Sequence, residues 1–273
     1  MKLSVITINR NNADGLRRTM QSVLCQDSTQ FEYVLIDGAS TDASVSIMND
    51  YCGRFAEAGV IVNAVSEPDG GLYNAMNKGI AKASGEYVIM LNSGDEFVDS
   101  KVISSILSVL DGTDIVQGNI LRLKSDGQHL DRGYGRSDID FLDVQKGHFL
   151  HQASFCRRDL FDRCGMFDES YRIDGDTVFY IKALGYCDAT FKYVDRTIAL
   201  FDCGGRSSAE NEEWSKVRSD EFERWSTELF SHRLWDTCVE CDGKVRLYDK
   251  LRRHPFIWKA TMLLSRVANW LER

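Results

Sequence analysis

The first hundred residues alternate four times between a short apolar run and a segment of helical periodicity, and that rhythm restricts the chain to an α/β architecture. Leu3-Ser4-Val5-Ile6-Thr7 reads as a strand, and Asn11-Asn12 precede a helix with Leu16, Met20, Val23 and Leu24 on one face. Tyr33-Val34-Leu35-Ile36 is a second strand, after which Ser40 or Thr41 can cap a helix carrying Val45, Met48 and Tyr51. Val60 to Val65 gives a third strand, and Glu67-Pro68-Asp69-Gly70-Gly71 is a turn by composition. The helix that follows directs Leu72, Ala75, Met76, Gly79 and Ile80 inward, and Tyr87-Val88-Ile89-Met90-Leu91 forms the fourth strand. Strand, helix and strand in that order imply right-handed crossovers and a parallel sheet with helices on both faces.

Each of these strands ends in polar residues: Thr7 and Asn9, then Asp37, Asp69 and finally Asp95. Parallel strands share a direction, so these groups gather along one edge, where open α/β sheets hold their ligands. The carboxylates of Asp37, Asp69 and Asp95 repel one another unless a positive group joins them. A divalent cation answers that need, and hard oxygen ligands favour Mg2+ or Mn2+ over zinc. Asp42 reads as a helix cap.

The strings Ser4-Val5-Ile6-Thr7, Ile36-Asp37-Gly38-Ala39-Ser40-Thr41-Asp42, Ser66 to Ile80 and Leu91-Asn92-Ser93-Gly94-Asp95 resemble the successive signatures of family-two glycosyltransferases. A second block, His151-Gln152-Ala153-Ser154-Phe155, Gly165 to Glu169 and Asp174-Gly175-Asp176, resembles the acceptor half of that family. The likeness runs in order over about residues 1 to 205. It implies a GT-A fold, a Rossmann-like, mostly parallel sheet with helices on both faces, and an inverting, metal-dependent enzyme of bacterial surface-polysaccharide synthesis of the O-antigen, capsule or exopolysaccharide type.

Carried over residue by residue, the resemblance places Thr7, Asn9 and Asp37 at the nucleotide base and ribose, with Asp37 accepting from a uracil-type N–H. Asp69, Asn77, Lys78 and Asn92 fall along the nucleotide-sugar pocket. Asp95 matches the last acid of the metal-binding cluster, with Mn2+ or Mg2+ as the cation, and Asp176 matches the catalytic base. Asp174 is the rival base two residues away. His151 and Gln152 fall at the acceptor, and Gly204-Gly205-Arg206-Ser207 resembles a loop that closes over the diphosphate. The chain departs from the family pattern at Asn92 and Gly94, where acids are usual, and at Gly175, where a second acid often precedes the base. An amide can still offer its carbonyl oxygen to a cation that leans on substrate phosphates and water.

Length and composition agree with one large α/β domain plus an appendage: 273 residues, 43% hydrophobic and 27% charged. We divide the chain into a nucleotide-sugar half at 1–100, an acceptor half at 101–208 and a helical C-terminal appendage at 209–273. A net charge of −8 argues against nucleic acid as a partner. No secretion signal or membrane-length apolar run is visible, so the chain reads as cytoplasmic and its eight cysteines as reduced thiols. Cys238 and Cys241 sit at metal-type spacing without a second pair, which disfavours zinc.

From Lys244 onward cations interleave with Phe256, Ile257, Trp258, Met262, Leu263, Val267, Trp270 and Leu271. Such a segment suits the cytoplasmic face of an anionic inner membrane, or packing on the main domain or on a second subunit in a homodimer. Together these readings point to transfer of a sugar from a nucleotide donor, UDP-linked by preference although thymine presents the same imide edge, to a glycan on a polyprenyl diphosphate. A nucleotide-dependent oxidoreductase lacks support, because no strand is followed by a glycine-rich dinucleotide fingerprint. A degenerate glycan-binding or scaffolding module is the alternative suggested by the thinned acidic cluster.

Overall fold

The structure, a computed structural model, describes residues 1–124, 126–140, 143–144, 146–202, 212–230 and 240. The chain divides into two compact units, 1–222 and 223–273. In the first unit the alternation seen in sequence is β1 (Leu3–Asn9), α1 (Ala13–Leu24), β2 (Phe31–Asp37), α2 (Ser44–Glu57), β3 (Ile61–Ser66), α3 (Leu72–Lys82) and β4 (Tyr87–Met90). Then follow β5 (Glu96–Phe97), α4 (Val102–Leu107), β6 (Ile115–Lys124), β7 (Gly127–Asp131), a 3-10 turn (His151–Ala153), β8 (Ser154–Arg157), α5 (Asp159–Cys164), α6 (Gly175–Tyr186), β9 (Phe191–Asp202) and α7 (Glu212–Leu229), which runs into the second unit. Within that second unit Trp225 and Phe230 meet edge to face at 6.5 Å.

The strands lie in the order β3-β2-β1-β4-β8-β6-β9-β5, with β7 paired to β6. β3, β2, β1 and β4 are mutually parallel; β8 runs against β4 and β6, so β6 and its parallel neighbour β9 point with the first four. The sheet is therefore mostly parallel, with β5, β7 and β8 reversed. The sequence reading located the parallel half well and was silent on β5 and β7.

Alternation along the strands divides the core. Leu3, Val5, Tyr33, Leu35, Tyr87 and Ile89 pack on one face with Leu16 and Met20 of α1, Ile47, Met48 and Phe55 of α2, and Ile103 of α4. Ile6, of opposite parity, meets Gly79 of α3 so closely that a β-carbon there would lie 2.4 Å from the Ile6 side chain. Each such aliphatic side chain, fully buried, contributes about 1.5–3 kcal/mol. Three expectations need correction. Leu72 is 40% exposed, because the buried stripe of α3 begins at Tyr73. In α2 Ile47 takes the buried place expected of Val45, which is half-buried. Neither Ser40 nor Thr41 caps α2: Asp42 accepts from the Ser44 N–H at 2.9 Å and from the Ala13 N–H at 3.0 Å, because Ser40 is engaged by Asp37.

Candidate active site

Strand register builds the first part of the site. Asn9 of β1 pairs across to Asp37 of β2, and Asp37 to Ser66 of β3, so three polar residues form one rung at the carboxyl edge. Asp37 is 1% exposed and accepts four hydrogen bonds: Asn9 Nδ2 at 2.8 Å and Ser40 Oγ at 2.6 Å on one oxygen, the Ser40 N–H at 2.9 Å and Ser66 Oγ at 2.6 Å on the other. Burial works against its charge, but the donors of Ser40, Ser66 and Asn9 outweigh it and hold the carboxyl below its ordinary pKa. A carboxylate with four donors has used its accepting capacity, so Asp37 does not itself present a lone pair to a base. Asn9 Oδ1, by contrast, is buried with no hydrogen-bond partner. Turning that amide over would set Oδ1 against the Asp37 carboxylate, so its orientation is fixed. Thr7 is also withdrawn from any ligand: it is 0% exposed, accepts from Tyr33 and donates to the Leu91 carbonyl at 2.7 Å.

After β3 the chain turns at Asp69, whose carboxylate lies over Gly38; a β-carbon on Gly38 would come 2.1 Å from Asp69 Oδ2. Arg10, half exposed at the end of β1, reaches Asp69 at 3.5 Å. Lys78 ties this turn, bonding the Pro68 carbonyl at 2.8 Å and Glu67 at 2.9 Å. The amide of Asn77 is likewise committed elsewhere. It donates to the Phe167 carbonyl at 2.9 Å and accepts from the Phe167 N–H at 3.1 Å, with Glu169 as a further acceptor at 2.9 Å.

Beyond β4 the backbone stays bonded to β1 through Leu91 and Ser93, which carries Asn92 to Asp95 alongside the end of β1. Thr19, a polar residue on the apolar face of α1, fixes the turn: its hydroxyl accepts from the Gly94 N–H at 2.9 Å and donates to the Asp95 carbonyl at 2.7 Å. Gly94 has φ 109°, which side-chain-bearing residues rarely adopt, and this explains physically why no acid stands there. Asp95 is 6% exposed. Among the described residues no group of three or more His, Cys, Asp or Glu is placed to hold a metal ion. Asn92 Oδ1, however, is buried without a hydrogen-bond partner two peptide bonds from the Gly94–Asp95 turn. An amide oxygen and a carboxylate are hard donors of the type Mg2+ or Mn2+ accepts, with phosphate oxygens and water completing the shell. Asp95 and Asn92 therefore fit such a cation as a partial ligand set.

The other half of the sheet supplies a half-buried acid. The 3-10 turn before β8 carries His151, and α6 starts at Gly175, so that His151 Nδ1 lies 2.8 Å from Asp176 Oδ2. On the far side, His151 Nε2 is 3.4 Å from Asn92 Nδ2. Burial disfavours charge on both groups, yet each stabilises the other. His151 is raised by the hydrogen bond and charge of Asp176, with Asp95 adding to it, and Asp176 is lowered by His151 and by the hydroxyl of Tyr73 at 3.0 Å. Gln152 is buried in the same turn. Asp174 is the N-cap residue of α6 but makes no side-chain capping bond. The turn before it is held by Glu221 of α7, whose carboxylate accepts from the N–H groups of Arg172, Ile173 and Asp174. Arg206 and the segment from Lys244 onward, with Cys238 and Cys241, lie outside the described residues.

Thr19, Arg10, Tyr73 and Glu221 were missed in the sequence reading. Only Thr19 left a signal, as a hydroxyl amid Leu16, Met20 and Val23; the others act through contacts between segments far apart in the chain.

The fold is shared with solved glycosyltransferases. A crystal structure of Staphylococcus aureus TarS residues 1–349 in complex with UDP-GlcNAc superposes with a TM-score of 0.64 at 21% identity, over 80% of this chain and 64% of that one. The mannosyltransferase PcManGT from Pyrobaculum calidifontis, in complex with GDP-Man and Mn2+, gives 0.62 at 17% identity over 84% of this chain and 64% of that one. A longer TarS structure is spanned to only 43% of its length. The fold is of the GT-A type. Residues 4–166 match the profile described as glycosyl transferase family 2, and the chain belongs to that family. An uncharacterised glycosyltransferase of Mycobacterium tuberculosis is 35% identical over 193 residues, covering 68% of this chain and 70% of that one. A PGL/p-HBAD biosynthesis glycosyltransferase of Mycobacterium bovis is 28% identical over 209 residues, covering 75% and 78%.

Proposed function

We propose that the protein transfers a sugar from a nucleotide-sugar donor, UDP-linked, to a hydroxyl of a lipid-linked glycan by a single displacement that inverts the anomeric carbon. The observation that carries this reading is the continuous run Asp176–His151–Asn92, at 2.8 Å and 3.4 Å, which brings a half-buried acid beside the turn that ends in Asp95. Residues 1–100 hold the donor in this reading, and residues 101–208 hold the acceptor.

At the donor end, Asp37 orients the Asn9 amide by accepting from its Nδ2, and the unpartnered Asn9 Oδ1 accepts the imide N–H of uracil. Arg10, on the exposed side of Asp69, supplies positive charge along the same edge. A divalent cation, Mn2+ or Mg2+, held by Asp95 and Asn92 Oδ1 together with diphosphate oxygens, would neutralise the leaving group. The segment 204–207, with Arg206, is assigned to the diphosphate on its sequence alone.

At the acceptor end, His151 keeps Asp176 ionised and therefore in the form that takes a proton. Each carboxylate oxygen has two lone pairs, so an acceptor hydroxyl can approach while Tyr73 and His151 stay bonded. As the hydroxyl oxygen forms its bond to the anomeric carbon, its proton passes to Asp176. The bond from that carbon to the diphosphate breaks, and the nucleoside diphosphate leaves with the electron pair. General base catalysis of this kind is worth about 10² to 10⁴ in rate. Gln152 and His151 border the acceptor.

A lipid-linked acceptor is supported by the glycolipid pathway named for the Mycobacterium bovis relative. No helix among the described residues is long and apolar enough to cross a membrane. Peripheral contact with the cytoplasmic face of the inner membrane, or dimerisation, is assigned to the basic aromatic segment from Lys244 onward. The test is thermal stabilisation by UDP-, GDP- and dTDP-sugars with and without Mn2+, since a ligand that binds only the folded state raises its melting point. A Mn2+-dependent rise with a UDP-sugar is expected, and no response to any donor would overturn the reading.

A further inference from the structure

Tyr73 was not singled out by periodicity, yet it is the group most tightly built into the acidic centre. It follows Leu72 at the start of α3 and is 2% exposed. Its ring lies tilted against Phe167 at 5.7 Å and directly over Gly175, where a β-carbon would come within 2.7 Å of Cε2 and 2.8 Å of Cδ2. Gly175 is thus the residue that leaves the ring its place. The hydroxyl faces two acceptors, the Ile173 carbonyl and Asp176 Oδ1, the latter at 3.0 Å. Burial and the charge of Asp176 hold the phenol well above its ordinary pKa, so it is an O–H donor near neutral pH.

The other oxygen of Asp176 is held by His151 at 2.8 Å. A carboxylate gripped on one oxygen can swing about its terminal bond; gripped on both, it has one plane. The Ile173 end of the grip is itself fixed, because Glu221 accepts from the Ile173 and Asp174 N–H groups at 2.9 Å. We infer that Tyr73 is a positioning residue that fixes the plane of the Asp176 carboxylate against His151, and that Gly175 is small so that the ring can reach it. This inference rests on the reading of Asp176 as the base. Because Tyr73 sits two residues past the Gly70-Gly71 turn that follows Asp69, it also joins the donor edge to the acid through a short stretch of chain.

The test uses the full chain and the variants Tyr73→Phe and Gly175→Ala. UDP release from UDP-GlcNAc, with water as acceptor, is followed over about pH 4 to 9. Tyr73→Phe keeps the ring packing and removes only the donor. The groups facing Asp176 are then His151 from the 3-10 turn, with the charges of Asp174 and Asp95 beyond, so the carboxyl becomes easier to protonate. The acid limb of kcat should move up by about half to one pH unit, kcat should fall about tenfold and the donor KM should stay within about twofold. Gly175→Ala, which pushes the ring away, should move the limb in the same direction. An acid limb that stays in place in Tyr73→Phe overturns the inference, whatever happens to melting temperature.

A substrate-free cycle keeps the question decidable without turnover. The melting shifts of Tyr73→Phe and Asp176→Asn should be non-additive when combined, because both disturb one hydrogen bond; additive shifts overturn the inference. Full turnover by Asp176→Asn alone would defeat the reading of the base and leave the cycle unaffected.

Discussion

Asp37 is the residue whose removal from the site tests the structure most severely without any substrate. Replacing it with Asn keeps the shape and exchanges one acceptor oxygen for an NH2 group. If the amide nitrogen takes the Oδ2 position it faces the Ser40 N–H, and if it takes the Oδ1 position it faces Asn9 Nδ2. Ser66 and the Ser40 hydroxyl can turn and accept, but a backbone N–H cannot, and turning Asn9 over to offer Oδ1 would move its Nδ2 to the buried place that has no partner. One buried donor therefore loses its acceptor, and the remaining bonds lose their charge assistance. Set against relief from burying a charge, the net loss is about 2–4 kcal/mol. For a cooperative unit of this size that is about 5–15 °C in melting temperature.

The pH dependence has a definite sign. The folded pKa of Asp37 is depressed, so its contribution is fully present above the unfolded value of about 3.9 and is lost as pH falls through the folded value. Urea unfolding of wild type and Asp37→Asn should therefore differ most near neutrality, and the gap should narrow in acid. Equal stability at neutral pH, or a gap that widens on acidification, would refute the hydrogen-bond account of this rung.

Three further outcomes follow from the same geometry. Thr19→Val removes the hydroxyl between the Gly94 N–H and the Asp95 carbonyl and should cost about 1–3 kcal/mol in urea unfolding, while weakening any Mn2+ dependence of donor binding. Gly94→Ala forces a β-carbon onto φ 109° and should lower stability by about 1–3 kcal/mol, read as a melting shift. Asn77→Ala should destabilise the chain by about 1–3 kcal/mol while the donor KM stays within about twofold, since its amide serves Phe167 and Glu169; the reverse pattern would return it to the donor pocket.

Much of the donor half was legible because its information is local. Apolar runs such as Tyr33-Val34-Leu35-Ile36 and the turn residues between them report strand, helix and direction within a few positions, and shared direction alone puts Asn9, Asp37 and Ser66 on one rung. What each side chain does on that rung was not legible. Thr7 and Asp37 both read as polar ends of strands, but Thr7 lies inside β1 and donates to the Leu91 carbonyl, whereas Asp37 ends β2 among four donors. The reversed strands β5 and β7 escaped because such short strands carry no distinctive period. Asp176 was preferred to Asp174 on resemblance alone. The coordinates add a physical distinction: Asp176 is paired to His151 and Tyr73, a juxtaposition made by segments 25 and 103 residues apart. Tyr73 itself could not be found from periodicity, because an inward tyrosine on an amphipathic helix looks like any other core residue.

The most direct measurement of the central claim is UDP release from UDP-GlcNAc by wild type and Asp176→Asn, with donor binding followed in parallel by thermal stabilisation in Mn2+. If Asp176 takes the acceptor's proton while the edge from Asn9 to Asp95 holds the donor, turnover should fall by about 10² to 10⁴ while the stabilisation survives. Turnover within a few-fold of wild type, or loss of donor binding together with activity, would contradict the account.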